Sequence, residues 1–182
     1  KEKGHMLQTY NPNDIAEFQI MLQSTGKWFT DNDGNADFTN NDALKECYDV
    51  FKKLNESDFC QVVSDWTGFA GAINNGDVAC VMRGSWITST IMGADDQSGK
   101  WKMAPIPKMS TDSATHYSNQ GGSSWFVLKN SKNADAAAKF LADTFGGSTE
   151  LYDSLMKSNN IIGTYLPAAD IEAVNTESEF FS

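Results

Sequence analysis

The chain has 182 residues, 40% hydrophobic and 21% charged, the balance of a globular domain with enough length to bury a substantial core. Twenty-four acidic residues against 14 basic ones leave a net charge of −10, which speaks against a nucleic-acid binder that neutralises phosphates with a basic stripe. No apolar run is long enough to cross a bilayer as a helix.

The chain opens Lys1-Glu2-Lys3 without an initiator methionine or a signal peptide, so a mature or processed start is expected. Gly4-His5-Met6 reads either as a cloning scar or, the favoured reading, as native chain, with Lys1–Lys3 the end of a helix that Gly4 stops and Met6–Tyr10 a strand. A helix is expected from Asp14 to Thr25. Asn13 or Asp14 would cap it, Gly26 would end it, and Ile15, Phe18 and Leu22 would form its buried face. The turn formers of Thr30–Asn41 follow, then a helix over Asp42–Leu54 with Leu44, Cys47, Tyr48, Phe51 and Leu54 on one side. A third helix begins near Asp65, shows Trp66, Phe69, Ala70 and Ile73 on its apolar face, and stops at Asn75-Gly76.

Val78–Met82 reads as a buried strand, Trp86–Met92 as a helix, Gln97–Lys100 as a loop, and Trp101–Ile106 as a strand closed by Pro107. A polar loop over Met109–Thr115 leads to the run Trp125–Leu128, expected to be another buried strand. An alanine-rich helix is expected from Asn133 or Ala134 to Phe145, ended by Gly146-Gly147. Ser148 would cap a further helix with Leu151, Tyr152 and Leu155 on its face. Ile161–Ala168 reads as extended, a short helix follows it, and the tail from Asn175 reads as frayed. Alternating strands and helices give the class α/β.

Several chemistries can be set aside by spacing. Counted from Asp31, a calcium-binding loop would need Gly at its sixth position and Glu at its twelfth, and Ala36 and Asp42 stand there. An Asx-rich turn is the expectation. His5 and His116 are the two histidines, and no GxSxG elbow surrounds the serines near His116. Asp95-Asp96 falls in what reads as an exposed loop. Cys47, Cys60 and Cys80 lack CxxC spacing, so small core residues are expected, with one disulfide left open. No cofactor is expected.

Gly121-Gly122 precedes the Trp125–Leu128 run, where a P-loop would place its glycines after a strand. Paired glycines here mean either a tight turn with unusual angles or a ligand approaching bare backbone N–H groups. Five tryptophans stand out: Trp28, Trp66, Trp86, Trp101 and Trp125. Aromatic faces stack on the CH faces of sugar rings, and the same side chains serve equally as core anchors. Trp28 and Trp101 read as packing residues.

Phe69–Trp86, "FAGAINNGDVACVMRGSW", resembles a stretch of the extracellular solute-binding proteins of ABC importers, of the carbohydrate-binding family 1 type. Ile73, Gly76, Ala79, Met82 and Gly84-Ser85-Trp86 hold the places of that pattern. "KWKMAPIPK" at Lys100–Lys108, "GGSSWFVLKNSKNADAAAKFL" from Gly121 and "TYLPA" at Thr164–Ala168 are similar to further family segments in the same order. The resemblance implies one α/β lobe, a central mixed sheet flanked by helices, of a two-lobed periplasmic-binding-protein-like type II fold. Over residues 1–182 it implies the second lobe alone, the first lobe lying outside this chain. It further implies a monomer that closes on a sugar or oligosaccharide and delivers it to permease subunits. Its place would be outside the cell, at the surface or in the periplasm, with the parent lipid-anchored. The resemblance carries a stacking role to Trp86 and a cleft-facing role to Gly121 and Gly122. Arg83, Trp66, Asn119 and Trp125 are further candidates, Arg83 as a planar fork for hydroxyls or an acid sugar. The competing readings are the same fold with a non-sugar solute, a glycoside hydrolase, and a surface interaction module.

Overall fold

A computed structural model of the chain describes residues 5–181; the helix end expected at Lys1–Lys3 and its stop at Gly4 lie outside the described residues. The extended run after His5 becomes strand β1 (Gln8–Tyr10), which pairs in parallel with β2 (Cys60–Val62), Gln8 opposite Cys60. On the other edge of β1, Met6 bridges Val78 in parallel, and Cys80 N–H donates to the Leu7 carbonyl at 2.9 Å. The expected strand Val78–Met82 is therefore present as a short parallel pairing. The mixed sheet of the expectation is not what forms: both named strands run parallel, and among the described residues the one antiparallel bridge is the local Thr30–Ala36 pair.

Helix α1 (Ala16–Ser24) lies within the expected span. Asp14 serves its start, its Oδ1 accepting from Ala16 N–H at 2.9 Å, and Gly26 ends it at φ +73°. Ile15 is exposed and not part of the buried face, while Ala16, Glu17, Phe18, Ile20, Met21 and Leu22 are all buried. A helix buried almost all round belongs inside a layered core. Its neighbour α2 (Asp42–Glu56) carries Cys47 fully buried against Phe18, Leu22 and Met109, with Leu44 and Phe51 packed beside them. Tyr48 faces out instead. The aromatic residues interlock, Phe51 edge-on to both Tyr10 and Phe18, and Phe29 stacked on Phe18 at 5.9 Å.

Helix α3 (Trp66–Asn74) starts where Asp65 Oδ1 accepts from Gly68 N–H at 2.8 Å. Buried Gln97 closes its far end, donating from Nε2 to the Ile73 and Asn74 carbonyls, while its Oε1 accepts from Trp101 Nε1 at 2.6 Å. Trp101 is thus a packing residue. Trp86–Met92 resolves into a 3₁₀ turn (Ser85–Ile87) and the short α4 (Thr88–Ile91). The expected strand at Trp101–Ile106 does not form; Trp101 makes a single bridge to Phe181, and Ile106 N–H bonds to His116. The tail is not frayed at that point: Phe180 is buried and its carbonyl accepts from Gly99 N–H at 2.9 Å.

The chain divides into two compact units. The first holds the described residues up to Gly84, with Thr90–Gln120 and Phe180–Phe181, and contains the core above. The second holds Ser85–Ser89 and Gly121–Glu179. In the second, α5 (Ala134–Asp143), α6 (Thr149–Asn159) and α7 (Glu172–Asn175) follow one another. Ser148 caps α6 as expected, and Tyr152 is its one buried residue, its ring tight under Gly163 and its hydroxyl donating to the Phe145 carbonyl. Ile161–Ala168 forms no strand and ends in a 3₁₀ turn, Leu166–Ala168. The clearest departure is Trp125–Leu128. It forms no strand and is not buried: Phe126 is 85% exposed and Leu128 77%. Four apolar residues in a row demand cover, and the described residues of this chain do not supply it.

Candidate functional site

The sequence candidates fall into two groups, one in each unit. In the second unit Trp86 sits on the 3₁₀ turn after Gly84-Ser85, half-buried, with Thr88 and Ser89 hydroxyls tying the turn down to the Ser85 and Trp86 carbonyls. Gly121 lies beside it: a Cβ placed on Gly121 would stand 3.7 Å from Trp86 Nε1. Gly121 has φ +95° and Gly122 φ +108°, a region that L side chains resist. The pair makes a turn that only glycine makes easily, and its backbone, without side chains, runs beside an indole edge. Trp125, two-thirds exposed, rests its ring 4.9 Å from Phe145 and is drawn into the uncovered apolar run.

In the first unit the segments leading to these residues run side by side. Gly84 N–H donates to Gln120 Oε1 at 3.0 Å, and Ser118 Oγ donates to the Ile20 carbonyl at 2.7 Å. Asn119 is exposed between them. Trp66, at the first position of α3, is half-exposed and stacks on buried Phe69 at 5.5 Å and 18°. Positions three apart on a helix face the same way, so the pairing follows from α3 itself.

Arg83, expected as a planar fork for hydroxyls or an acid sugar, has its guanidinium engaged within the protein. Its side chain is 2% exposed; Nη1 lies 2.5 Å from Glu17 Oε1 and donates to the Met82 carbonyl, and Nη2 lies 3.2 Å from Asp14 Oδ2. Its guanidinium also sits 4.6 Å from the centroid of the Phe69 ring, a cation–π distance. Glu17 is buried as deeply, and its Oε2 has no hydrogen-bond partner among the described residues. Burial lifts the Glu17 carboxyl above the ordinary glutamate value, with Arg83 pulling the other way. Glu17 and Gln120 were not singled out in the sequence, and Phe69 was read there only as part of the apolar face of α3. The available signal was Glu17 itself, a lone acid inside the apolar stretch Ile15–Leu22.

The other chemistries have local explanations. Asp31 accepts from Asp33 N–H, Asn35 N–H and Asn35 Nδ2, so its carboxylate closes its own turn, and these bonds hold it below the usual carboxylate range. Among the described residues no three His, Cys, Asp or Glu side chains gather as metal ligands. Cys47, Cys60 and Cys80 are free thiols, with Cys47 pushed up to about 11 by burial, far from the thiolate a nucleophile needs. His116 Nδ1 is engaged with the Ile106 carbonyl. No helix among the described residues is long and apolar enough to cross a membrane.

Residues 3–181 match the family model described as bacterial extracellular solute-binding protein. A curated relative, the lactose-binding protein of Rhizobium radiobacter, is 35% identical over 178 residues. That alignment covers 98% of this chain and 42% of the relative's length, so the chain spans less than half of the protein it matches.

Proposed function

The chain belongs to the bacterial extracellular solute-binding proteins, a family of binding proteins rather than enzymes, and from that premise we propose that it is part of the sugar-binding receptor of an ABC importer. The observation that carries this reading is the Trp86 indole set beside the positive-φ pair Gly121-Gly122. An aromatic face takes the apolar side of a sugar ring, and neighbouring backbone that carries no side chain lets the sugar approach closely. The relative's lactose ligand makes a mono- or disaccharide the first class to test. Burial of Arg83 in ion pairs removes the cation best suited to a carboxylate or phosphate, which favours a neutral ligand over an anion.

In this reading the parent protein has two lobes that close on the ligand and present it to permease subunits outside the cell, at its surface or in the periplasm. A lipid anchor on the parent is part of the same proposal. The first unit carries the second lobe, and the second unit is where this chain meets the lobe made by the rest of the protein. The uncovered Trp125–Leu128 run supports that assignment, because nothing among the described residues covers it.

Calorimetric titration tests the reading directly. The two-lobed parent is titrated with lactose and a panel of mono- and oligosaccharides, alongside Trp86→Ala and this chain alone. Micromolar binding by the parent, lost in Trp86→Ala and much weaker in the chain alone, is the expected result. Absence of binding to every sugar would remove the carbohydrate reading. Binding untouched by Trp86→Ala would keep the function and return Trp86 to a packing role.

A further inference from the structure

Trp66 offers half of its indole to solvent, yet it stands on a heavily braced base. Phe69 beneath it is 3% exposed and has no room to move independently. The Arg83 guanidinium lies on the Phe69 ring, and Arg83 is in turn held by Glu17 and Asp14 from α1. Asp65, the residue before Trp66, fixes the first turn of α3. Two charged side chains buried to 2% and 4% are a costly way to support an ordinary core ring, since desolvating an ion pair consumes much of what its attraction returns. Buried pairs of this kind fix geometry better than they add stability, and a stacking surface gains affinity from being fixed before the ligand arrives.

We propose that Glu17 and Arg83 are positioning residues that hold the Trp66 indole, through Phe69, as a preformed stacking face for ligand. The ligand class rests on the sugar-receptor reading above; the brace itself does not. Arg83 suits the task because its planar guanidinium can both lie on an aromatic ring and bridge two carboxylates, which a lysine ammonium cannot. Glu17 is faced by Arg83 and Asp14, with Cys60 of β2 close enough to feel its charge. The Glu17 proton arrives above the usual glutamate range because burial disfavours the carboxylate, and the Arg83 contact then loses its charge.

The test labels the five tryptophans with 5-fluorotryptophan and assigns the Trp66 fluorine resonance with Trp66→Phe. In the 182-residue chain the Trp66 line is expected to titrate with a midpoint above that of an ordinary glutamate, because burial raises the Glu17 carboxyl, while the remote Trp101 line stays still. Glu17→Gln abolishes that titration, and Arg83→Lys shifts the Trp66 line without changing the far-UV spectrum. In the two-lobed parent both variants weaken lactose binding by about tenfold or more, and Glu17→Gln removes its dependence on pH around that midpoint. A Trp66 line indifferent to pH and to both variants, in folded protein, overturns the brace. So does unchanged affinity in Glu17→Gln and Arg83→Lys where Trp66→Ala weakens binding. A responsive Trp66 line in a protein that binds no sugar supports the brace and removes only the carbohydrate reading.

Discussion

Gly121 and Gly122 hold backbone angles that cost an L side chain about 1–2 kcal/mol, and a methyl on Gly121 would in addition lie in ordinary contact with the neighbouring indole, 3.7 Å from Trp86 Nε1. Gly34, at φ +84° in the Asp31–Asn35 turn with open space around it, separates the two effects. Gly34→Ala and Gly121→Ala are expected to lose similar stability, about 1 kcal/mol each in urea denaturation. Only Gly121→Ala should also weaken sugar binding by the parent, because its methyl occupies the space 3.7 Å from Trp86 Nε1. Equal calorimetric affinities for the two variants would make the glycine pair a turn and nothing more. Single residues were legible to different depths. The glycine pair announced its own geometry, since few other residues are used where φ is positive. Arg83 did not, because its partners Glu17 and Asp14 lie far off in sequence and only folding brings them together.

Helix starts show what an element reveals about itself. Ser148 caps α6 as its sequence suggested, Asp65, near which α3 was expected to begin, caps that helix, and the helix stops at Gly26 and Gly76 fall at positive φ. Asn41, the cap of α2, does more than was legible: its Oδ1 accepts from Leu44 N–H, and its Nδ2 donates to the Trp28 and Asp37 carbonyls from a buried position. Asp65→Ala should therefore cost about 1 kcal/mol, the ordinary worth of a cap. Asn41→Ala should cost more, about 2–3 kcal/mol, because two carbonyls under the loop lose their donor. Equal midpoints for the two variants in urea denaturation would show that water replaces the amide. Caps are legible because donor and acceptor sit within four residues. Strands are not, because hydrophobic pattern says that a segment wants burial without saying against what. Val78 found Met6 beside it. Trp101–Ile106 and Trp125–Leu128 carry the same kind of signal and form no strand, and Tyr48, on the expected inner face of α2, points outward.

Whole-molecule organisation was the least legible level. Four family segments in the expected order placed the chain in its family, while its division into two compact units had no signal in the sequence. The second unit buries little of its apolar surface: Trp125, Phe126, Val127 and Leu128 line an open groove with Phe140 and Leu141 of α5. If the remaining length of the parent covers that groove, one substitution should behave oppositely in two settings. Phe126 is 85% exposed in this chain, so Phe126→Asp here removes little packing and should change stability by no more than about 0.5 kcal/mol. In the two-lobed parent the same carboxylate would be buried without a partner, and the loss should reach about 3 kcal/mol or more. The comparison is urea denaturation of both lengths with and without the substitution, and a fluorescent dye that binds exposed apolar surface should light up with this chain and not with the parent. A parent as tolerant of Phe126→Asp as the chain alone would mean that the run stays at the surface. The two-lobed assignment of the second unit would then lose its physical support.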